Sequence, residues 1–127
     1  MEKTLLLEDF YTIRDISVLS PEKMNVKVEL NVHHPVYKGH FPQAPVAPGV
    51  CLIQMIKEVL MTQQNKKLTM TDGDNIKFMA LVNPNDNPFF FIEYDLRFPS
   101  SEVLEISAFI RWEGITYLKF KGKYRIL

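Results

Sequence analysis

Cysteine is nearly absent: Cys51 stands alone among 127 residues, so no internal disulfide can form and a cysteine-stapled secreted scaffold is excluded. Charge of one sign is absent too. Fifteen Lys and Arg balance fifteen Asp and Glu, leaving no global basic field to recruit nucleic acid or an anionic membrane. Long hydrophobic runs are missing. Leu5-Leu6-Leu7 meets Glu8 and Asp9 at once, too short for the apolar region of a secretion signal, and no stretch approaches the roughly 20 apolar residues of a membrane span. There is no repeat, no low-complexity segment and no run of like charge. What remains, 46% hydrophobic and 24% charged, is ordinary globular composition rather than disorder. The expectation is a soluble, cytoplasmic protein with a single domain over residues 1–127, binding neither nucleic acid nor membrane.

The strongest periodicity is two. Met24, Val26, Val28, Leu30 and Val32 alternate with polar neighbours, as do Ile92, Tyr94, Leu96 and Phe98. So do Leu104, Ile106, Ala108, Ile110 and Trp112, and then Leu118, Phe120, Gly122, Tyr124 and Ile126. This is the pattern of half-buried strands. Turn signals at Pro99-Ser100-Ser101 and Glu113-Gly114 make the last three consecutive antiparallel strands, and a further strand is expected from Asn75 to Val82. Val50 to Met61 reads differently. Apolar residues surround a narrow polar stripe of Gln54, Lys57 and Glu58, at i, i+3 and i+4. Pro48-Gly49 opens this segment and Lys66-Lys67 follow it, predicting a buried helix over residues 49–64. One buried helix with five or six antiparallel strands implies an α+β fold, the sheet wrapped around the helix.

The chemistry concentrates between His34 and Val50, where Pro42, Pro45 and Pro48 are spaced by three. That spacing suits a polyproline ligand, but Phe41, Val46 and Val50 are too apolar for a solvated one. The segment reads instead as an ordered loop bringing His40 to a helix N-terminus. There the unpaired backbone N–H groups of Gly49 and Val50 can polarise a carbonyl, and a histidine titrating near neutrality can act as base.

These residues resemble the 3-hydroxyacyl-(acyl-carrier-protein) dehydratases of type II fatty-acid synthesis, the FabA/FabZ-like enzymes, whose motif is approximately H-P-x-x-x-G-H-F-P-x-x-P-x-x-P-G-V-L-x-x-E. His34, Pro35, Gly39, His40, Phe41, Pro42, Pro45, Pro48, Gly49 and Val50 match it, with Cys51 in place of the leucine. Lys77-Phe78 and Val82-Asn83-Pro84-Asn85-Asp86 are similar to further segments of the family, with Asn85 where the family has glycine. The resemblance implies a hotdog fold that dimerises, with a site at the subunit interface. It implies a substrate carried as an acyl-carrier-protein or coenzyme A thioester, and no cofactor or metal. His40 would remove the α-proton, and Phe41, Pro48, Gly49 and Val50 would line the substrate site. The carboxylate that assists departure of the 3-hydroxyl corresponds to Gln54, fourteen residues after His40.

Gln54 is the main departure, because an amide has no titratable proton to give. Glu58, one turn further along the polar stripe and about 6 Å away, is a second acid candidate acting through water. Three functions follow. The first is a dehydratase making a trans-2-enoyl thioester in fatty-acid or related polyene or polyketide synthesis. The second is a catalytically impaired hotdog subunit that binds acyl chains or completes a partner's site, in a homodimer, a multiple of dimers or a heterodimer. The third is a thioesterase, which Gln54 disfavours. Cys51, inside an apolar helix, reads as an inert thiol. His33, His34 and His40 lack acidic or cysteine neighbours at metal-ligand spacing. Lys119, Lys121, Lys123 and Arg125 form a basic strand face suited to solvent or to an acidic carrier. Phe109, on the otherwise polar side of its own strand, points to a subunit contact.

Overall fold

Alternation along the chain is realised as a six-stranded antiparallel sheet curled around one helix. The computed structural model describes residues 9–37 and 46–127. In chain order the elements are β1 (Tyr11–Ser20), β2 (Lys23–Leu30), a short 3-10 turn (Pro35–Tyr37), α1 (Gly49–Gln64), β3 (Leu68–Phe78), β4 (Phe89–Ser100), β5 (Val103–Trp112) and β6 (Ile115–Ile126). The strand order is β1-β2-β4-β5-β6-β3, every neighbour antiparallel. This is the hotdog arrangement.

The inward residues of the central strands are those the alternation singled out. Val26, Val28, Ile92, Leu96, Leu104, Ala108, Ile110, Leu118 and Phe120 are buried, and Leu52, Met55, Ile56, Val59 and Leu60 of α1 fill the trough they form. Tyr94 ties sheet to helix by donating its hydroxyl to the Ile56 carbonyl at 2.7 Å. The β5–β6 connection is a two-residue turn in which Glu113 (φ 47°) and Gly114 (φ 84°) both take left-handed backbone, and Trp112 pairs with Ile115 across it. That is the primed geometry matching strand twist. At the far end of α1, Asn65 takes the left-handed conformation (φ 52°) and Lys66 N–H closes onto the Met61 carbonyl at 3.2 Å.

Three expectations are corrected, and one strand without a clear pattern is added. The strand expected at 75–82 is β3, beginning at Leu68 and ending at Phe78. Its polar first half shows no alternation because it is a sheet edge, and its register shifts twice, between Met70 and Asp72 and between Asp72 and Asn75. β1 carried no clear pattern either. It is the other edge, with exposed residues on both faces of its outer half. β2 stops at Leu30 rather than Val32, since Asn31 turns the chain, its side chain donating to the Asp9 carbonyl and accepting from His33 N–H. Finally, α1 is not covered all round. Val50 is 77% exposed and Cys51, Ile53 and Met61 are only half-buried, whereas Glu58 of the supposed polar stripe is turned into the core.

Among the described residues, no helix is long and apolar enough to cross a membrane. Ile56→Ala, which empties a fully buried position facing the sheet, is expected to cost about 2–5 kcal/mol in urea unfolding. Val18→Thr at an exposed edge position should stay within about 0.5 kcal/mol in the same measurement.

Candidate active site

Helix α1 begins without a side-chain cap, because Pro48 occupies the N-cap and carries no polar side chain. The Cys51 and Leu52 N–H groups reach back to the Pro48 carbonyl at 3.0 and 3.2 Å. The N–H groups of Gly49 and Val50 lie ahead of the first intrahelical bonds, at the positive end of the helix dipole. The chain entering the helix is fixed from the side, with Ala47 N–H donating to the Val82 carbonyl at 2.8 Å. Val82 itself opens a turn in which Asn83 accepts from the N–H groups of Asn85, Asp86 and Asn87. Glycine at residue 49 lets the Phe78 ring lie close, since an added Cβ would stand 2.6 Å from it and the half-exposed ring would have to move. Pro48, Gly49 and Val50 are thus brought together with Phe78. His40 and Phe41 lie outside the described residues, as do Gly39, Pro42 and Pro45.

One turn into the helix, the polar residues form a cluster. Glu58 is 2% exposed, a carboxylate inside the core. Gln54 Nε2 donates to its Oε2 at 2.9 Å, and the Tyr11 hydroxyl donates to its Oε1 at 3.2 Å. The i, i+4 spacing places Gln54 above Glu58 on one helix face. Tyr11 comes from the start of β1, 47 residues away. Burial pushes the Tyr11 phenol far above the ordinary tyrosine range, and the Glu58 charge and its hydrogen bond push it further, so the phenol stays a donor. Gln54 is half-buried, reachable from outside on one side and tied to the core on the other. Sequence reasoning identified Gln54 and Glu58 but missed Tyr11, which no local pattern connects to the helix.

Other singled-out residues have simpler surroundings. Burial raises the pKa of the half-buried Cys51 thiol, which keeps it protonated and unreactive. His34 Nδ1 accepts from the Val36 N–H at 3.0 Å, and its ring meets Phe10 edge-on. The guanidinium of Arg111 lies 4.2 Å from the centre of the Phe109 ring, and the Lys119 ammonium 6.0 Å from it, so this side chain has partners within its own chain. A hollow of about 390 Å³ opens on the outer sheet face, where Asp95 and Glu105 intermix with Arg97, Lys121 and Lys123. No residue of α1 lines it.

Residues 17–103 match the model of the ApeI-like family, described as ApeI dehydratase. The chain belongs to the ApeI-like dehydratases. Among curated relatives, the 3-hydroxyacyl-(acyl-carrier-protein) dehydratase FabZ of Rickettsia africae is 25% identical over 114 residues, covering 83% of this chain and 77% of the relative. The FabZ of Oceanobacillus iheyensis is 31% identical over 78 residues, 56% of each protein. Among solved structures, the dehydratase heterocomplex ApeI:P of Xenorhabdus doucetiae superposes with a TM-score of 0.71 at 16% identity, over 89% of this chain and 96% of that one. A putative thioesterase from a Silicibacter species gives 0.59 at 12% identity, over 92% and 78%. At those identities the structural likenesses establish the hotdog fold of this ApeI-like chain, and not its chemistry.

Tyr11→Phe removes a donor from a buried carboxylate and should cost about 2 kcal/mol in urea unfolding at neutral pH. The raised tyrosines also set the alkaline limit. Tyr11, Tyr37, Tyr94 and Tyr124 all have native pKa values above the ordinary one, chiefly through burial. Their contribution is complete below the unfolded value of about 10 and is lost as pH rises beyond it. Stability followed by circular dichroism is expected to fall steeply above about pH 10, while the absorbance change of these four tyrosines arrives together with unfolding rather than before it.

Proposed function

We propose that this chain is a 3-hydroxyacyl thioester dehydratase of the acyl-carrier-protein type that acts as a dimer, with His40 and Gln54 meeting across the interface. His40 removes the α-proton. The Gly49 and Val50 N–H groups receive the charge that develops on the thioester oxygen, and Phe41 and Pro48 line the acyl path. Gln54 stands where the 3-hydroxyl departs. The observation that carries this reading is the placement of Gln54, half-buried on α1 one turn past the uncapped helix start and held by a buried carboxylate. A substrate carried on acyl carrier protein or coenzyme A would reach it from the side of α1 that this chain leaves open.

The dimer rests on the same uncovered side. Val50, Ile53, Gln54, Lys57 and Met61 recur at helical spacing and remain exposed or half-buried. Close by, Phe78 packs on Gly49 while 53% exposed, and Met79 and Leu81 are 48% and 77% exposed. β3, which leads into them, is a sheet edge. A second copy set against this edge would bury a patch that a monomer leaves in water. A second reading has a specific observation behind it. An amide replaces the acid at residue 54, so a related hotdog subunit could supply the missing carboxylate, and the Xenorhabdus neighbour is itself a dehydratase heterocomplex.

The purified protein alone, assayed with 3-hydroxyacyl thioesters, separates the two. Enoyl product supports the first reading, and product only after adding a second hotdog chain supports the other. In the active form, His40→Ala should abolish turnover. Gln54→Glu should raise it about tenfold or more, toward the factor of 100 to 10,000 that acid–base help supplies. It would set two carboxyls side by side, where one holds a proton. The exchange Gln54→Glu with Glu58→Gln keeps one carboxyl and one amide in the pair and should gain as much with less loss of stability. Full activity in His40→Ala would leave only the fold in common with the dehydratases.

A further inference from the structure

The Tyr11–Glu58–Gln54 cluster has a direction. A carboxylate accepts at both oxygens and donates at neither. Tyr11 O–H donates to Oε1 and Gln54 Nε2 donates to Oε2. Because the amide nitrogen of Gln54 is committed to Glu58, its carbonyl oxygen is the end turned away from the carboxylate. Glu58 is 2% exposed and Tyr11 fully buried, so neither can swing aside without opening the core.

We propose that Glu58, steadied by Tyr11, is a positioning residue that fixes the Gln54 amide with Oε1 toward the substrate, making residue 54 an acceptor that selects a 3-hydroxyl over a 3-oxo group. This rests on the reading that Gln54 faces carbon 3 of an acyl thioester. A 3-hydroxyl donates to Oε1. A 3-oxo group has only lone pairs to offer, so the same contact becomes oxygen against oxygen, and a hydrogen-bonding site left unpaired discriminates strongly. Glu58→Gln reverses the logic at constant shape. Gln at residue 58 accepts from Tyr11 with its carbonyl oxygen and donates with its amide nitrogen. Gln54 then turns its own oxygen inward and presents N–H outward, which suits the ketone.

The test uses the full chain and two unreactive probes, 3-hydroxyoctanoyl- and 3-oxooctanoyl-pantetheine with an amide in place of the thioester. Calorimetry should show the natural protein binding the hydroxy probe about tenfold tighter or more. In Glu58→Gln that preference should shrink to within about threefold or invert, with the hydroxy probe weakened and the oxo probe strengthened. A purely structural role for Glu58 would weaken both probes alike and leave the ratio unchanged, which overturns the proposal. An equal affinity for both probes in the natural protein overturns it as well. Should Glu58→Gln fail to fold, the natural protein still decides through nitrogen-15 side-chain spectra. The Gln54 amide protons should exchange with water more slowly than those of Gln63 and Gln64, and equal exchange overturns the proposal. Turnover of 3-hydroxyoctanoyl-pantetheine thioester is read separately. Hydroxyl preference without enoyl product removes the dehydratase reading and leaves the positioning role standing, whereas product without preference does the reverse.

Discussion

A carboxylate buried in an apolar core is costly. Desolvation amounts to several kcal/mol per ion, and only well-placed donors offset it. Glu58 meets that condition with Tyr11 from the first strand and Gln54 from its own helix, and the arrangement of the site depends on it. The bond to Tyr11 joins α1 to the beginning of β1, a sheet edge with little hydrophobic pattern of its own. Phe10 and Tyr11 are both fully buried there, so the edge strand is anchored at its start by core packing and one charge-assisted hydrogen bond. A hydrophobic residue at position 58 would pack the core more cheaply. What it would not do is hold the amide of Gln54.

The central sheet and the helix were legible because their residues obey a single period. Val26, Ile92, Ala108 and Phe120 point inward wherever the alternation put them, and Gly49–Gln64 is the helix the apolar run implied. Legibility failed at the edges. β1 and the first half of β3 have one pairing partner each, so nothing compels their outward residues to be polar or their inward ones to be continuous. The helix was misread in a more informative way. An apolar surface all round suggests burial all round, yet Val50, Ile53 and Met61 remain partly in water within one chain. Their hydrophobicity has to be explained by something outside this chain's own sheet.

Within the site, legibility followed sequence distance. Pro48, Gly49 and Val50 are contiguous, and the geometry of a helix start needs only local information. Gln54 and Glu58 are one turn apart, so their shared face was readable, but not the inward turn of Glu58. That turn is decided by Tyr11, 47 residues distant, through a contact that exists only after the sheet has closed. Position along a polar stripe therefore put Gln54 and Glu58 on one face but gave Glu58 the wrong surroundings.

The fold itself does not choose the reaction, since a dehydratase neighbour and a putative thioesterase neighbour share it at 16% and 12% identity. At its helix start this chain has a half-buried amide at residue 54 and a buried carboxylate at residue 58. Exchanging those two residues would alter neither the volume nor the number of hydrogen bonds in the pair. It would alter which end of the pair carries an exchangeable proton and which carries a fixed acceptor. An acid at the opening drives departure of a hydroxyl; an acceptor there recognises the hydroxyl and leaves the proton to come from elsewhere. In the proposed dehydratase, the order of two side chains along one helical turn thus separates a group that binds from a group that reacts, on an otherwise unchanged scaffold.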